Sequence, residues 1–178
     1  MRIIGGVHRG KVLKLPKDLP VRPTTDFAKE ALFNILNNKL DFNEIHVLDL
    51  FSGTGHISLE FASRGAGQVV AVDMHFKCVK FLSSMAAQLK LPINAVKSDV
   101  FDFLQKSGNT YDLIFADPPY ALENIPDIHQ FVMTKKLLKT EGTLIIEHGS
   151  KTDLSNLAGF EQMRKYGNVH FSFFNSGE

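Results

Sequence analysis

The sequence predicts an α/β fold: a doubly wound, mostly parallel sheet of seven strands that ends in an antiparallel hairpin. Three observations carry this. From Ile45 onward, short apolar runs alternate with segments of helical periodicity, the pattern of strands joined by right-handed crossovers. Several runs end in an acid, at Asp49, Asp73, Asp99 and Asp117, as expected where strands meet loops at one edge of a sheet. The final two runs are separated only by Gly167-Asn168, a two-residue hairpin signal.

Taken in order, residues 2–15 predict a small β-hairpin. Ile3-Ile4 and Val12-Leu13-Lys14-Leu15 flank the turn-rich stretch from Gly5 to Gly10. Pro16, Pro20 and Pro23 then make an irregular connection. Thr25 or Thr24 is placed to cap a helix over 26–38, with Asp26 at its positive end. Phe27, Ala31, Leu32, Ile35 and Leu36 recur there at helical spacing, and Asn37-Asn38 ends the run. Strands are expected at 45–50, 68–73, 93–97, 111–116, 143–147, 160–166 and 169–174. Helices are expected at 55–64, 76–90, 99–106 and 127–138. No internal repeat or low-complexity tract divides the chain. Residues 1–178 therefore read as one domain, a basic hairpin extension (1–24) on a doubly wound core (25–178).

Composition narrows the function classes. At 178 residues and 44% apolar content the chain can bury a substantial core. There is no secretory leader at the amino terminus and no apolar run of roughly 18 residues for a membrane span. The lone Cys78 has no intramolecular disulfide partner, which suits a reducing cytoplasm; it reads as a half-buried structural thiol. Net charge is only +1, against an avid nonspecific nucleic-acid binder. The charge is uneven, however. Residues 1–22 carry Arg2, Arg9, Lys11, Lys14, Lys17 and Arg22 against Asp18 alone. Such a patch either contacts phosphates or is a solvated terminal ribbon.

The most informative stretch is Asp117-Pro118-Pro119-Tyr120, after the apolar run Tyr111–Ala116. Two prolines hold an extended backbone without N–H groups, which frees the Pro118 carbonyl to accept a hydrogen bond. Asp117 adds a second acceptor and Tyr120 a flat ring. Two acceptors beside a stacking ring suit a planar base bearing an exocyclic amino group. Upstream, Asp49-Leu50-Phe51-Ser52-Gly53-Thr54-Gly55 runs from a strand through a glycine loop into a helix. Gly53 and Gly55 allow a ligand to approach the backbone. Ser58 stands where a dinucleotide loop needs its third glycine, and no Gly-Lys-Ser/Thr follows. Asp49 disfavours pyrophosphate and suits a cationic ligand. Asp73, about twenty residues past the glycines, is placed to accept ribose hydroxyls. Asp99 is placed for an adenine amino group and the Val100 N–H for a ring nitrogen. Each acid alone is explained as a helix cap. Together, at successive strand ends, they fit S-adenosylmethionine.

Metal chemistry has no support in spacing. The seven histidines are scattered without H-x-x-x-H or Cys-His pairs; His148 ends a strand, and His129 reads as a helix-surface residue. Phe101, Phe103, Phe131 and Phe171 read as core, and at most one face of the strand bearing Phe171, Phe173 and Phe174 is expected to be exposed.

The chain resembles the class I S-adenosylmethionine-dependent methyltransferases, and more closely the RsmD family, which methylates the exocyclic N2 of a guanine in 16S ribosomal RNA. The likeness covers nearly the whole chain. It is carried by Arg2-Ile3-Ile4-Gly5-Gly6 with Arg9-Gly10, by Arg22-Pro23-Thr24-Thr25-Asp26 with Glu30 and Leu32-Phe33-Asn34, and by the glycine loop and Asp117-Pro118-Pro119-Tyr120. The resemblance implies a Rossmann-like methyltransferase fold. It implies Asp49, Phe51, Gly53 and Gly55 around the methionine part of the cofactor, Asp73 on the ribose, and Asp99 with Val100 on the adenine. Arg22, Thr24 and Thr25 would close over the cofactor or the mouth of the site. Asp117 and Pro118 would hold the target amine, with Pro119 shaping the turn and Tyr120 on the base. Arg2, Arg9 and Lys11 would face RNA. The implied partner is 16S rRNA within an assembling small ribosomal subunit, met by a cytoplasmic monomer without metal. Phe27 stands where the family often has a basic residue, and His75 where it often has an acid. Two other readings of the residues stay open: methylation of a different amine, an adenine or a protein glutamine, and a nucleotide-binding protein without methyl chemistry.

Overall fold

The computed structural model describes residues 1–19 and 25–176. Its seven-stranded sheet has the order β3-β2-β1-β4-β5-β7-β6. The strands are β1 (His46–Leu50), β2 (Gln68–Asp73), β3 (Ile93–Lys97), β4 (Tyr111–Ala116), β5 (Leu138–His148), β6 (Phe160–Tyr166) and β7 (Val169–Asn175). The helices are α1 (Asp26–Asn37), α2 (His56–Ser63), α3 (Phe76–Leu89), α4 (Val100–Lys106) and α5 (Ile125–Thr134). β1 to β5 are parallel, and β7 pairs antiparallel with both β5 and β6.

Alternation along the strands sorts the core into two layers. Val47, Val69, Leu113, Phe115 and Ile145 pack with α1 and α2. Leu48, Leu50, Val70, Ile114 and Leu144 pack with α4 and α5. Both faces of the central strands are thus covered, which is why they read as near-continuous apolar runs.

Thr25 caps α1, its Oγ1 accepting from the Ala28 N–H at 3.3 Å. α5 starts two residues earlier than the sequence suggested, because Pro126 occupies its first turn, and it stops at Thr134. Lys136 then takes a left-handed φ of 53°, which breaks the helical run and leaves Leu138 to open a longer β5. β7 is inserted between β5 and β6 with both faces covered, and Phe171, Phe173 and Phe174 are all buried, within the expected limit of at most one exposed face. His129 is buried as well. Its Nε2–H donates to the Ala158 carbonyl at 2.7 Å, and its ring lies 4.8 Å from that of Phe174. Cys78 is 1% exposed rather than half-buried, because α3 presses it inward.

The amino-terminal segment forms a ribbon with one antiparallel bridge, Arg2 to Val12, and a short 3-10 turn at Gly6–His8, rather than two regular strands. The reason is its docking on α2. Ile4 N–H donates to Glu60 Oε2 at 3.0 Å, and Ser63 Oγ donates to the Gly5 carbonyl at 2.7 Å. Gly6 has φ +73, and a Cβ there would fall 1.7 Å from the Ser63 carbonyl oxygen. Only glycine permits this approach.

Glu60 is fully buried and binds further groups. Arg64 contacts its Oε1 at 2.9 Å, and buried Lys29 lies 3.9 Å from its Oε2 while donating to the Arg2 carbonyl at 2.6 Å. Removing Glu60 leaves two buried or half-buried cations and a backbone N–H uncompensated. Glu60→Ala is therefore expected to lower stability by roughly 3–5 kcal/mol. Urea denaturation measures this, and limited proteolysis should then cut the amino-terminal ribbon first. Among the described residues, no helix is long and apolar enough to cross a membrane.

Candidate active site

The site follows from strand register. β1 and β4 are neighbours, and Leu50 lies beside Ala116 at their carboxyl ends. The Asp117 N–H donates to the Leu50 carbonyl at 3.2 Å, so the double-proline corner begins where the glycine loop begins. β2 lies on the other side of β1, bringing Asp73 to the same edge.

These loops enclose one cavity of about 710 Å³. That lies within the roughly 300–1,000 Å³ usual for small-ligand sites. Most of the residues expected from sequence meet there: Thr25, Phe51, Gly53, Asp73, Asp99, Val100 and the four residues Asp117, Pro118, Pro119 and Tyr120. Arg22 and Thr24 lie outside the described residues.

Asp49 and Gly55 are not in the lining. Asp49 shares the face of β1 that meets α2, and its carboxylate takes a hydrogen bond from Ser58 Oγ at 2.5 Å. Ser58, the residue that broke the dinucleotide pattern, is thus the partner of that buried acid. Burial pushes the Asp49 carboxyl up to about 7, the Ser58 bonds pull it down, and nearby Asp73 adds to the rise. Gly55 has φ +79 and packs on Leu82, whose Cδ1 would lie 2.3 Å from an added Cβ. A side chain at this position would collide with Leu82, so the turn requires glycine.

Asp73 ties the site together. Its Oδ2 accepts from the Gly53 N–H at 2.8 Å, which fixes the glycine loop to the end of β2. Its Oδ1 accepts from the His75 N–H at 2.8 Å and lies 3.0 Å from His75 Nδ1. Asp99 caps α4 through Oδ1, to the N–H groups of Phe101 and Asp102 at 2.8 and 3.1 Å. Both cap bonds use one oxygen, so Oδ2 remains for a ligand. His56, at the start of α2, also lines the cavity. Its Nε2 is enclosed, with no hydrogen-bond partner among the described residues, and burial, then the Lys29 charge, pushes the ring down to about 3. The imidazole is neutral throughout the physiological range.

Glu147, near the end of β5, was not singled out by the sequence. It is 4% exposed, lines the cavity, and accepts from the Tyr120 hydroxyl at 2.7 Å. Gly149 lies against the Tyr120 ring, where an added Cβ would come within 3.0 Å of Cδ2. The ring is held at both its edge and its hydroxyl. A Glu closing an apolar strand was the available signal. Arg2, Arg9 and Lys11 are exposed and absent from the lining. Among the described residues, no group of three His, Cys, Asp or Glu side chains is arranged to hold a metal ion.

The Asp49 shift has a measurable sign. The folded chain keeps a proton on Asp49 that the unfolded chain, at the ordinary value of 3.8, has released. Between about pH 4 and 7 the folded state holds the extra proton, so this group's contribution to stability falls as pH rises. Asp49→Asn removes that dependence. In urea titrations without ligand, the stability of the variant relative to wild type should rise between about pH 5 and pH 8; a constant difference would show that Asp49 is ionised throughout.

The sequence pattern of the family described as "Conserved hypothetical protein 95" matches residues 1–175. The chain is 36% identical over 148 residues to Ribosomal RNA small subunit methyltransferase D of Escherichia coli (strain K12), covering 83% of this chain and 74% of that one. The solved structure of hypothetical protein TTHA0928 of Thermus thermophilus superposes with a TM-score of 0.85 at 27% identity, over 98% of each chain. The T. thermophilus 16S rRNA N2 G1207 methyltransferase RsmC, solved with AdoMet and guanosine, shares the fold with a TM-score of 0.71 at 24% identity, over 89% of this chain and 45% of that one. The α/β sheet with its antiparallel end, the shared cavity and the match along nearly all of the sequence have one explanation: this chain belongs to the Conserved hypothetical protein 95 family, the RsmD family of class I methyltransferases.

Proposed function

We propose that this protein transfers a methyl group from S-adenosylmethionine to the exocyclic N2 of a guanine in 16S ribosomal RNA. The observation that carries the reading is the single cavity shared by the Gly53 loop, Asp73 and Asp99 with Asp117-Pro118-Pro119-Tyr120. The donor set fits the cofactor. Asp73 suits ribose hydroxyls, Asp99 Oδ2 suits an adenine amino group, and Phe51, Val100 and Phe101 supply apolar walls. Asp49, buried against Ser58, and Gly55, with its left-handed φ, shape the glycine loop that would meet the methionine part. Thr25 borders the cavity. When bound, the cofactor supplies an electrophilic methyl on a sulfonium.

The chain's own residues handle the acceptor. The N2 lone pair of guanine is delocalised into the ring, so the amine is a weak nucleophile. The Asp117 carboxylate and the Pro118 carbonyl accept its two N–H bonds and hold the nitrogen in line with the methyl. Tyr120, fixed by Glu147 and Gly149, stacks on the base. As a nitrogen–carbon bond forms and a sulfur–carbon bond breaks, positive charge grows on nitrogen, and Asp117 stabilises it and takes the proton. The base must leave its stack to enter. The acid at Asp117 favours guanine over an adenine or glutamine acceptor, where asparagine commonly precedes the Pro-Pro-Tyr motif.

The exposed cations Arg2, Arg9 and Lys11 supply phosphate contacts on a chain whose net charge is only +1. That modest patch supports a partly assembled small subunit as the substrate, met by a cytoplasmic monomer.

Mass spectrometry of 16S rRNA from cells with and without the gene tests the reaction: one N2-methylguanosine should disappear on deletion. Loss of a methyladenosine, or no change, would overturn it. Asp117→Ala is expected to reduce kcat by roughly 100- to 1,000-fold, with cofactor affinity by calorimetry nearly unchanged. Collapse of that affinity would make Asp117 a cofactor residue. Methylation of a partial particle should outpace methylation of naked 16S rRNA, and equal rates would remove the assembly requirement.

A further inference from the structure

An aromatic series runs from the core to the surface beside the cavity. Phe115 of β4 and Phe171 of β7 are buried, with ring centroids 6.4 Å apart. Phe171 meets half-buried Tyr166 at 6.1 Å. Tyr166 meets Phe27 edge to face, at 6.1 Å and 77°. Phe27 is 67% exposed. Exposing so large a ring is unfavourable unless something covers it.

Its location suggests what does. Thr25, two residues before Phe27, lines the cavity. Val169 also lines it, and it pairs with Tyr166 across the β6–β7 turn. The platform therefore adjoins the mouth. The nearby acid Asp26 is engaged at 3.9 Å by Lys29.

We propose that Phe27, backed edge to face by Tyr166, forms a stacking platform for the nucleotide adjoining the flipped guanine. The assignment rests on the methyltransferase reading of the cavity and adds a subsite outside it. A flipped base leaves its neighbour without a stacking partner on one face. A flat ring fixed at the mouth replaces that partner, and every base has a π-face to offer. Tyr166, itself packed on Phe171, meets Phe27 edge to face, so less freedom is lost on contact.

The test compares Phe27→Ala, Phe27→Leu and Phe27→Trp with wild type, using small-subunit particles from cells lacking the gene. Phe27→Ala and Phe27→Leu should raise KM for the particle by roughly 5- to 100-fold. Their kcat, S-adenosylmethionine affinity by calorimetry and melting temperature should stay near wild type. Phe27→Trp should keep a KM at or below wild type, because a larger flat ring stacks at least as well. An unchanged KM in Phe27→Ala would overturn the platform. So would Phe27→Leu matching Phe27→Trp, which would make the contact apolar rather than stacking. Loss of cofactor affinity in Phe27→Ala would assign the ring to cofactor closure instead. Wild type that binds S-adenosylmethionine but methylates no RNA would overturn the underlying reading, a result distinct from all of these.

Discussion

The pairing of β1 with β4 is the constraint on which the site depends. With Leu50 beside Ala116, and the Asp117 N–H bonded to the Leu50 carbonyl, two loops distant in sequence must open at one point. Parallel pairing gives them the same direction, so both leave the sheet at its carboxyl edge. Asp73 then joins the glycine loop to β2 through the Gly53 N–H. The bond uses lone pairs on a carboxylate that still borders the cavity, so one acid both shapes the loop and lines the site.

A second buried acid organises the other end of the chain. Glu60 holds Ile4, Lys29 and Arg64, and so joins the amino-terminal ribbon, α1 and α2. Burial pushes the Lys29 ammonium down, while Glu60 and then Asp26 push it up. The pair is costly to desolvate and costly to break, which favours a ribbon with one docked position. The glycines of Arg2-Ile3-Ile4-Gly5-Gly6 thus serve docking, while the side chains of Arg2, Arg9 and Lys11 remain exposed.

The strands and the cavity edge were legible because period and strand-end chemistry are local. Val69–Asp73 is apolar and closes in an acid, and the structure ends β2 there. Asp117-Pro118-Pro119-Tyr120, which alone could be an ordinary loop, stood out because a strand-ending glycine loop lies upstream of it. What was not legible depends on contacts between distant segments. Nothing near Asp49 reveals that α2 covers it with Ser58. Glu60 and Lys29 look like ordinary charges on helix faces until the ribbon closes over them. Phe171, Phe173 and Phe174 were expected to expose at most one face; that they expose neither follows from β7 lying between β5 and β6, which sequence order does not reveal. Glu147 reads as a strand terminus, and only the fold brings the Tyr120 hydroxyl to it.

The central claim is that donor and acceptor occupy neighbouring halves of one cavity. A crystal structure with S-adenosylhomocysteine and guanosine tests it most directly. The account predicts the ribose at Asp73, the sulfur between the Gly53 loop and Asp117, and guanine N2 within hydrogen-bond reach of the Asp117 carboxylate and the Pro118 carbonyl. Guanosine bound away from Asp117, or turned so that N2 points away from the sulfur, would contradict it.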